Sequence, residues 1–125
     1  MVPAPPPQVL LGNLEPIMAL GLRRQLSEDG IEVVGHEDEA VRLLRAAQEL
    51  RPDSVVLDLN HGGARALADQ VRLASPHTKV VLWARDETVM EVLDPDAATT
   101  RLVAVTTPEG LRHELLGSTR HRVEE

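Results

Sequence analysis

The chain has 125 residues, 42% of them hydrophobic, and a formal charge of −7 at pH 7, which suits one domain around a single core. The acidic balance disfavours a sequence-independent grip on a phosphate backbone, and a lone aromatic residue, Trp83, offers no stacking platform for single-stranded nucleic acid. With no cysteine, disulfides, thiolate zinc sites and thiol nucleophiles are excluded.

Residues 1 to 8 are proline-rich and read as a disordered lead. They lack the basic and apolar regions of a signal peptide, and no later run approaches the ~18 apolar residues of a membrane span. A soluble cytoplasmic protein that binds neither membrane nor, by this domain, nucleic acid is the expectation.

Short β-rich runs then alternate with amphipathic ones. Val9-Leu10-Leu11 predicts a strand; Pro16 opens a helix in which Met18, Leu22 and Leu26 share a face, and Gly30 stops it. Ile31 to Val34 predicts a second strand, and Glu39 to Leu50 a second helix with Ala40, Leu43, Leu44 and Ala47 inward, stopped by Pro52. Ser54 to Leu57 is a third strand, and Ala64 to Leu73 a helix burying Leu67, Ala68 and Val71.

After the break at Ser75-Pro76, Lys79 to Trp83 predicts strand four, and Val89, Met90 and Leu93 suggest a short helix ended by Pro95. Leu102 to Val105 would be strand five. Thr106 or Thr107 caps a last helix opened by Pro108, with Leu111 and Leu115 inward. One folded domain over residues 9 to 116 and a flexible tail over 117 to 125 complete the division. Five βα units in succession imply an α/β fold: a five-stranded parallel sheet with helices on both faces.

Within this pattern Asp58 stands out, because it ends the apolar run Val55-Val56-Leu57 and is followed by the loop Leu59-Asn60-His61-Gly62-Gly63. A carboxylate at the C-terminal tip of a buried parallel strand faces the crevice where such sheets bind ligands, so Asp58 is placed like a phosphate acceptor or a metal ligand. Its bland role is to accept backbone N–H bonds around Gly62 and Gly63 or to cap the third helix. His36, His61, His77, His113 and His121 show no metal-ligand spacing. Neither phosphate-loop pattern nor a nucleophile elbow is present, so an enzyme is not expected.

The ordered segments Val9-Leu10-Leu11-Gly12-Asn13-Leu14-Glu15-Pro16, Gly21 to Leu26, Gly30 to Gly35, Leu50-Arg51-Pro52-Asp53, Val56-Leu57-Asp58-Leu59 and Ser75 to Leu82 resemble a response-regulator receiver domain of the CheY-like superfamily. The resemblance covers residues 8 to 116 and is nearest to the nitrate-response (NarL/FixJ) type. It implies the flavodoxin-like (βα)5 fold with strand order 2-1-3-4-5.

Receivers hold Mg²⁺ on an acidic pair after strand one, accept phosphate on an Asp after strand three, and use a Thr or Ser after strand four, a Lys after strand five and an aromatic switch residue. Carried over, the phosphoacceptor is Asp58, but the acidic pair falls on Asn13 and Leu14. The hydroxyl position falls on Trp83, the lysine position on Ala104 or Thr106, and the switch position on Arg101. Two negative charges and the ammonium are therefore missing. Mg²⁺, which needs hard oxygen ligands, is left with Asp58, the Asn13 carbonyl and a backbone oxygen near Asn60, a weak or lost site. Trp83 either fills the phosphoryl space or packs outward against the short fourth helix.

The resemblance thus implies an atypical receiver-like signalling module, without cofactor, that acts by protein contact rather than by normal Asp58 phosphorylation. Its contact face is expected on helix four, strand five and helix five, carrying Val89, Met90, Arg101, Leu111 and Arg112, with helix one as the other candidate; this face would meet a partner protein or a second copy. Two alternatives stand beside it. One is a phosphorylatable receiver of a two-component DNA-binding transcriptional regulator, and the other is a pseudo-receiver sensing a small ligand in the crevice.

Overall fold

In a computed structural model, residues 5–84, 89–104 and 108–123 are described, with the side chains of the last helix described over 110–117. The elements in chain order are β1 (Gln8–Gly12), α1 (Pro16–Glu28), β2 (Glu32–Glu37), α2 (Ala40–Leu50), β3 (Ser54–Asp58), α3 (Ala64–Ala74), β4 (Lys79–Trp83), β5 (Val89–Leu93), β6 (Arg101–Ala104) and α4 (Pro108–Val123). They form one six-stranded sheet of order β2-β1-β3-β4-β5-β6. The first four strands are parallel, whereas β5 is antiparallel to both β4 and β6.

Alternation along β1, β3 and β4 sends side chains to two cores. On one face Val9, Leu11, Val56 and Val81 meet Ala19, Leu22 and Leu26 of α1 and Leu111 and Leu115 of α4. On the other, Leu10, Val55, Leu57, Val80 and Leu82 meet Leu43 and Ala47 of α2 and Ala64, Ala68 and Val71 of α3. The helix starts and stops follow local chemistry: Pro16 enters α1 in its first turn, and Gly30 leaves it at φ 80°, where a side chain is strained.

The five-stranded, all-parallel sheet is corrected in one region. Val89 to Leu93 is a strand, not a short helix, and makes an antiparallel hairpin with β6. Only residues 84–88 separate β4 from β5, too few for a parallel crossover, which takes a dozen or more. The five residues Val89–Leu93 would make barely more than one helical turn, while as a strand they put Met90 and Val92 into the α1/α4 core. The hairpin turns at Asp94-Pro95-Asp96-Ala97: the Ala97 N–H donates to the Asp94 carbonyl at 3.2 Å, and Asp96 has φ 64°. Proline at the second position and positive φ at the third are the type II pattern.

Two boundaries also move. Pro7 is buried and its carbonyl accepts the Glu32 N–H at 2.9 Å, so ordered structure begins inside the expected disordered lead, and Gln8 is already in β1. At the other end α4 continues to Val123, past the point where a flexible tail was expected to start. The expected strand end at Val105 and the caps at Thr106 and Thr107 lie outside the described residues.

Several segments that carry the resemblance are clips at the N-terminal edge of the sheet. The Asp53 carboxylate accepts the Gln8 N–H at 2.8 Å, and its N–H and carbonyl bond to Gln8 and Lys79. The Thr78 hydroxyl donates to the Pro52 carbonyl at 2.8 Å and lies 2.6 Å from the Ser75 hydroxyl, all buried. These groups satisfy backbone that the crossovers leave unpaired.

Candidate functional site

Asp58 sits at the C-terminal tip of β3, half-buried, beside its registered partner Trp83 on β4. Both follow residues that point to the opposite face, so both project on the α1/α4 side. Behind them Gly12 brings β1 against α2: a Cβ there would lie 2.6 Å from Leu57 Cδ2 and 2.8 Å from Leu43 Cδ2. The residue after it, Asn13, turns to Asp58, and its Oδ1 accepts the Asp58 backbone N–H at 2.8 Å.

That bond fixes the Asn13 carboxamide, because a backbone N–H can meet only its oxygen. Asn13 is 8% exposed, and its Nδ2 is fully buried without a hydrogen-bond partner among the described residues. Leu14, the other position of the degenerate acidic pair, is buried in the α1/α4 core. The Asp58 Oδ1 accepts the Asn60 N–H at 2.9 Å, closing a tight turn, rather than bonding to Gly62 or Gly63 as anticipated. Gly63 precedes α3 with φ 80° and caps it without a side chain. His61 turns its Nδ1 toward the Gly62 carbonyl at 3.0 Å, and His36 places Nε2 3.1 Å from the Leu14 carbonyl and 2.8 Å from Asp38.

These residues do not fit Mg²⁺. The Asn13 oxygen is engaged by a backbone donor, the Leu14 side chain has no ligand atom, and Asp58 is the one carboxylate at the tip of β3. Among the described residues no group of three or more histidine, aspartate or glutamate side chains could hold a metal.

The remaining predicted positions are distributed differently. Trp83 is half-buried against the α1/α4 core, and no helix exists at 89–93 for it to pack against. Ala104 is exposed at the end of β6, and Thr106 lies outside the described residues. Arg101 is far from a switch role: it begins β6 at the opposite end of the sheet, where its guanidinium donates to both Asp94 oxygens at 2.7 and 2.9 Å and pairs with Glu114 at 2.7 Å. Glu114 also accepts from the buried Lys79 Nζ at 3.0 Å. This chain of ion pairs ties the hairpin, β4 and α4 together, and no spacing signal in the sequence announces it.

The residues expected on the contact face are divided between core and surface. Met90 and Leu111 are core residues, Val89 is partly exposed on β5, and Arg112 reaches Asp29, which caps α1, at 3.7 Å. No helix among the described residues is long and apolar enough to cross a membrane.

No family model matches the chain. Its sequence is similar to Response regulator GacA of Pseudomonas viridiflava, 30% identical over 97 residues, covering 77% of this chain and 43% of that protein. The same-named protein of Pseudomonas syringae pv. syringae (strain B728a) is 29% identical over 97 residues. The chain thus spans less than half the length of the curated relatives it matches. Among solved structures it is similar to the anti-anti-sigma factor PhyR in complex with the anti-sigma factor NepR from Bartonella quintana, with TM-score 0.55 and 12% identity over 96% of this chain and 48% of that one. The fold is a flavodoxin-like receiver fold, its fourth crossover replaced by a hairpin.

Proposed function

We propose that this chain is an atypical receiver-like signalling module, related to the NarL/FixJ type, that works by protein contact without a normal cycle of Asp58 phosphorylation and without catalysis of its own. The observation that carries this reading is the Asn13 carboxamide bonded to the Asp58 main chain, with Leu14 buried beside it. Phosphoryl transfer needs cationic neutralisation of the charge that develops on the phosphoryl oxygens, and Mg²⁺ binding needs several hard oxygens. A neutral amide turned to the backbone and a buried leucine supply neither. That PhyR was solved with a protein partner supports contact as the mode of action for a domain of this shape.

The test is incubation with a small-molecule phosphodonor and Mg²⁺, followed by intact mass. An unchanged mass, and Trp83 fluorescence indifferent to Mg²⁺, are expected. A stoichiometric phosphoryl adduct lost in Asp58→Asn would instead favour the phosphorylatable receiver of a DNA-binding regulator.

A further inference from the structure

We propose that β6 pairs edge to edge with β6 of a second copy of this chain, antiparallel across a two-fold axis, so that two sheets join through the outer flank of the hairpin. The proposal rests on the protein-contact reading above and names its partner and surface, an outer strand edge rather than the face expected from the resemblance.

The two edges of the sheet are built differently. An outer strand exposes a row of backbone donors and acceptors, and folded proteins blunt such edges with charges, prolines or bulges. The β2 edge is blunted in this way: Glu32, His36 and Glu37 lie on it, and its pairing with β1 is broken by a register shift between Val9 and Leu10. At the opposite end of the sheet, β6 pairs with β5 without such a shift, and Leu102-Val103-Ala104 brings no charge and no proline to the edge. Its side chains are open as well. Val103 packs on the α1/α4 core, so Leu102 and Ala104 project on the α3 side. There Leu102 is 70% exposed, Ala104 is exposed, and Val89, registered with Ala104, is 39% exposed.

Charge and symmetry select the occupant. A chain of formal charge −7 repels its own copy, so a self-interface needs a surface where charge is absent or already neutralised. The hairpin offers one: Glu91, registered with Leu102, pairs with Arg65, and Arg101 is held by Asp94 and Glu114. A two-fold axis perpendicular to the sheet keeps each face on its own side, so only residues of the same face meet across it. Centred on Val103, the axis sets Leu102 opposite Ala104 of the second copy, a large side chain on a small one. The row Val89, Ala104 and Leu102 of the second copy is then continuous and apolar, its symmetry mate lies beside it, and the two Arg101 side chains fall at opposite ends of the pair. Three paired residues a side bury less than the ~1,200 Å² lower bound of a standard interface, so the association is weak and reversible, with a dissociation constant on the order of tens of micromolar.

The experiment is sedimentation velocity of the full chain from micromolar to near-millimolar concentration. A reversible rise from monomer toward dimer is expected, weakened about tenfold or more in Leu102→Lys, which sets a charge on the edge without disturbing the core. Ile17→Lys, on the exposed face of α1, should associate as the parent does. Because the chain has no cysteine, Leu102→Cys reports the register by itself: the two introduced thiols are diagonal neighbours about 7–8 Å apart, and a short bifunctional thiol reagent should join them, whereas Ile17→Cys should stay monomeric. A monomer at every concentration, parent-like association of Leu102→Lys, or cross-linking of Ile17→Cys as efficient as that of Leu102→Cys would each overturn the proposal. A phosphoryl adduct on Asp58 would instead sink the underlying reading and leave the strand pairing standing, so the two failures are told apart.

Discussion

Gly12 and Asn13 show how two adjacent residues set the crevice. Gly12 lies in β1 without a positive φ; what favours glycine is space, since a Cβ would press on the ends of the fully buried Leu57 and Leu43 side chains, which would have to shift within a packed core. Gly12→Ala should cost about 1–3 kcal/mol, seen as a lower urea midpoint with an unchanged slope. Asn13→Ala removes the acceptor of the Asp58 N–H, a bond worth about 1 kcal/mol net. It should loosen the Asp58 turn, visible as faster amide exchange at Asp58. Asn13 could be located from sequence only through the resemblance, and what its carboxamide does could not be, because a neutral amide at a strand end reads the same whether it faces a ligand or a neighbouring backbone.

The hairpin β5–β6 and helix α4 are joined by charges rather than by apolar burial alone. Burial pushes the Glu114 carboxyl up, but hydrogen bonds and charge from Arg101 and Lys79 outweigh it and hold the group below the ordinary carboxylate range. Asp94 and Glu114 in turn hold Arg101 more firmly protonated than a free guanidinium. A depressed carboxyl contributes stability that is fully present above the unfolded pKa and is lost as pH falls through the folded one. The melting temperature should therefore fall on acidification below about pH 4.5, the ordinary glutamate value. Glu114→Gln should melt lower at neutral pH, with the gap to the parent closing in acid. Glu114→Ala, which strips the buried Lys79 of its carboxylate, should cost about 3 kcal/mol by urea titration. The hairpin was missed because Val89 to Leu93 is short enough to suit either period. The Asp94-Pro95-Asp96 turn signal and the Asp94–Arg101 pairing that closes it become decisive only once both flanks are seen as strands.

Across the molecule, the sheet is covered by helices from β2 to β4 and thins toward β6, where Leu102 is 70% exposed. Central β1 and β3 are paired on both sides and buried, while β6 is an outer strand of four residues. Amide exchange should accordingly be fastest in β6 and slowest in β1 and β3, with protection rising inward from the hairpin. Leu102→Lys should change stability by no more than about 0.5 kcal/mol in urea, because that side chain has little burial to lose. Similar protection in β6 and β3 would mean that the hairpin is covered in solution.

The alternation of apolar runs by itself determined that strands and helices alternate as far as β4, that Leu22 and Leu26 of α1, Ala68 and Val71 of α3 and Leu111 and Leu115 of α4 face the core, and that Asp58 ends a central strand at its C-terminal tip. These follow from local periodicity, which a chain carries along its own length. Tertiary structure alone decided the direction of β5, the sixth strand, the removal of Arg101 from the crevice and its capture by Asp94 and Glu114, and the turning of Asn13 onto the Asp58 backbone. Each depends on groups distant in sequence meeting across a sheet or between its ends, and pairing partners of that kind leave no period to read.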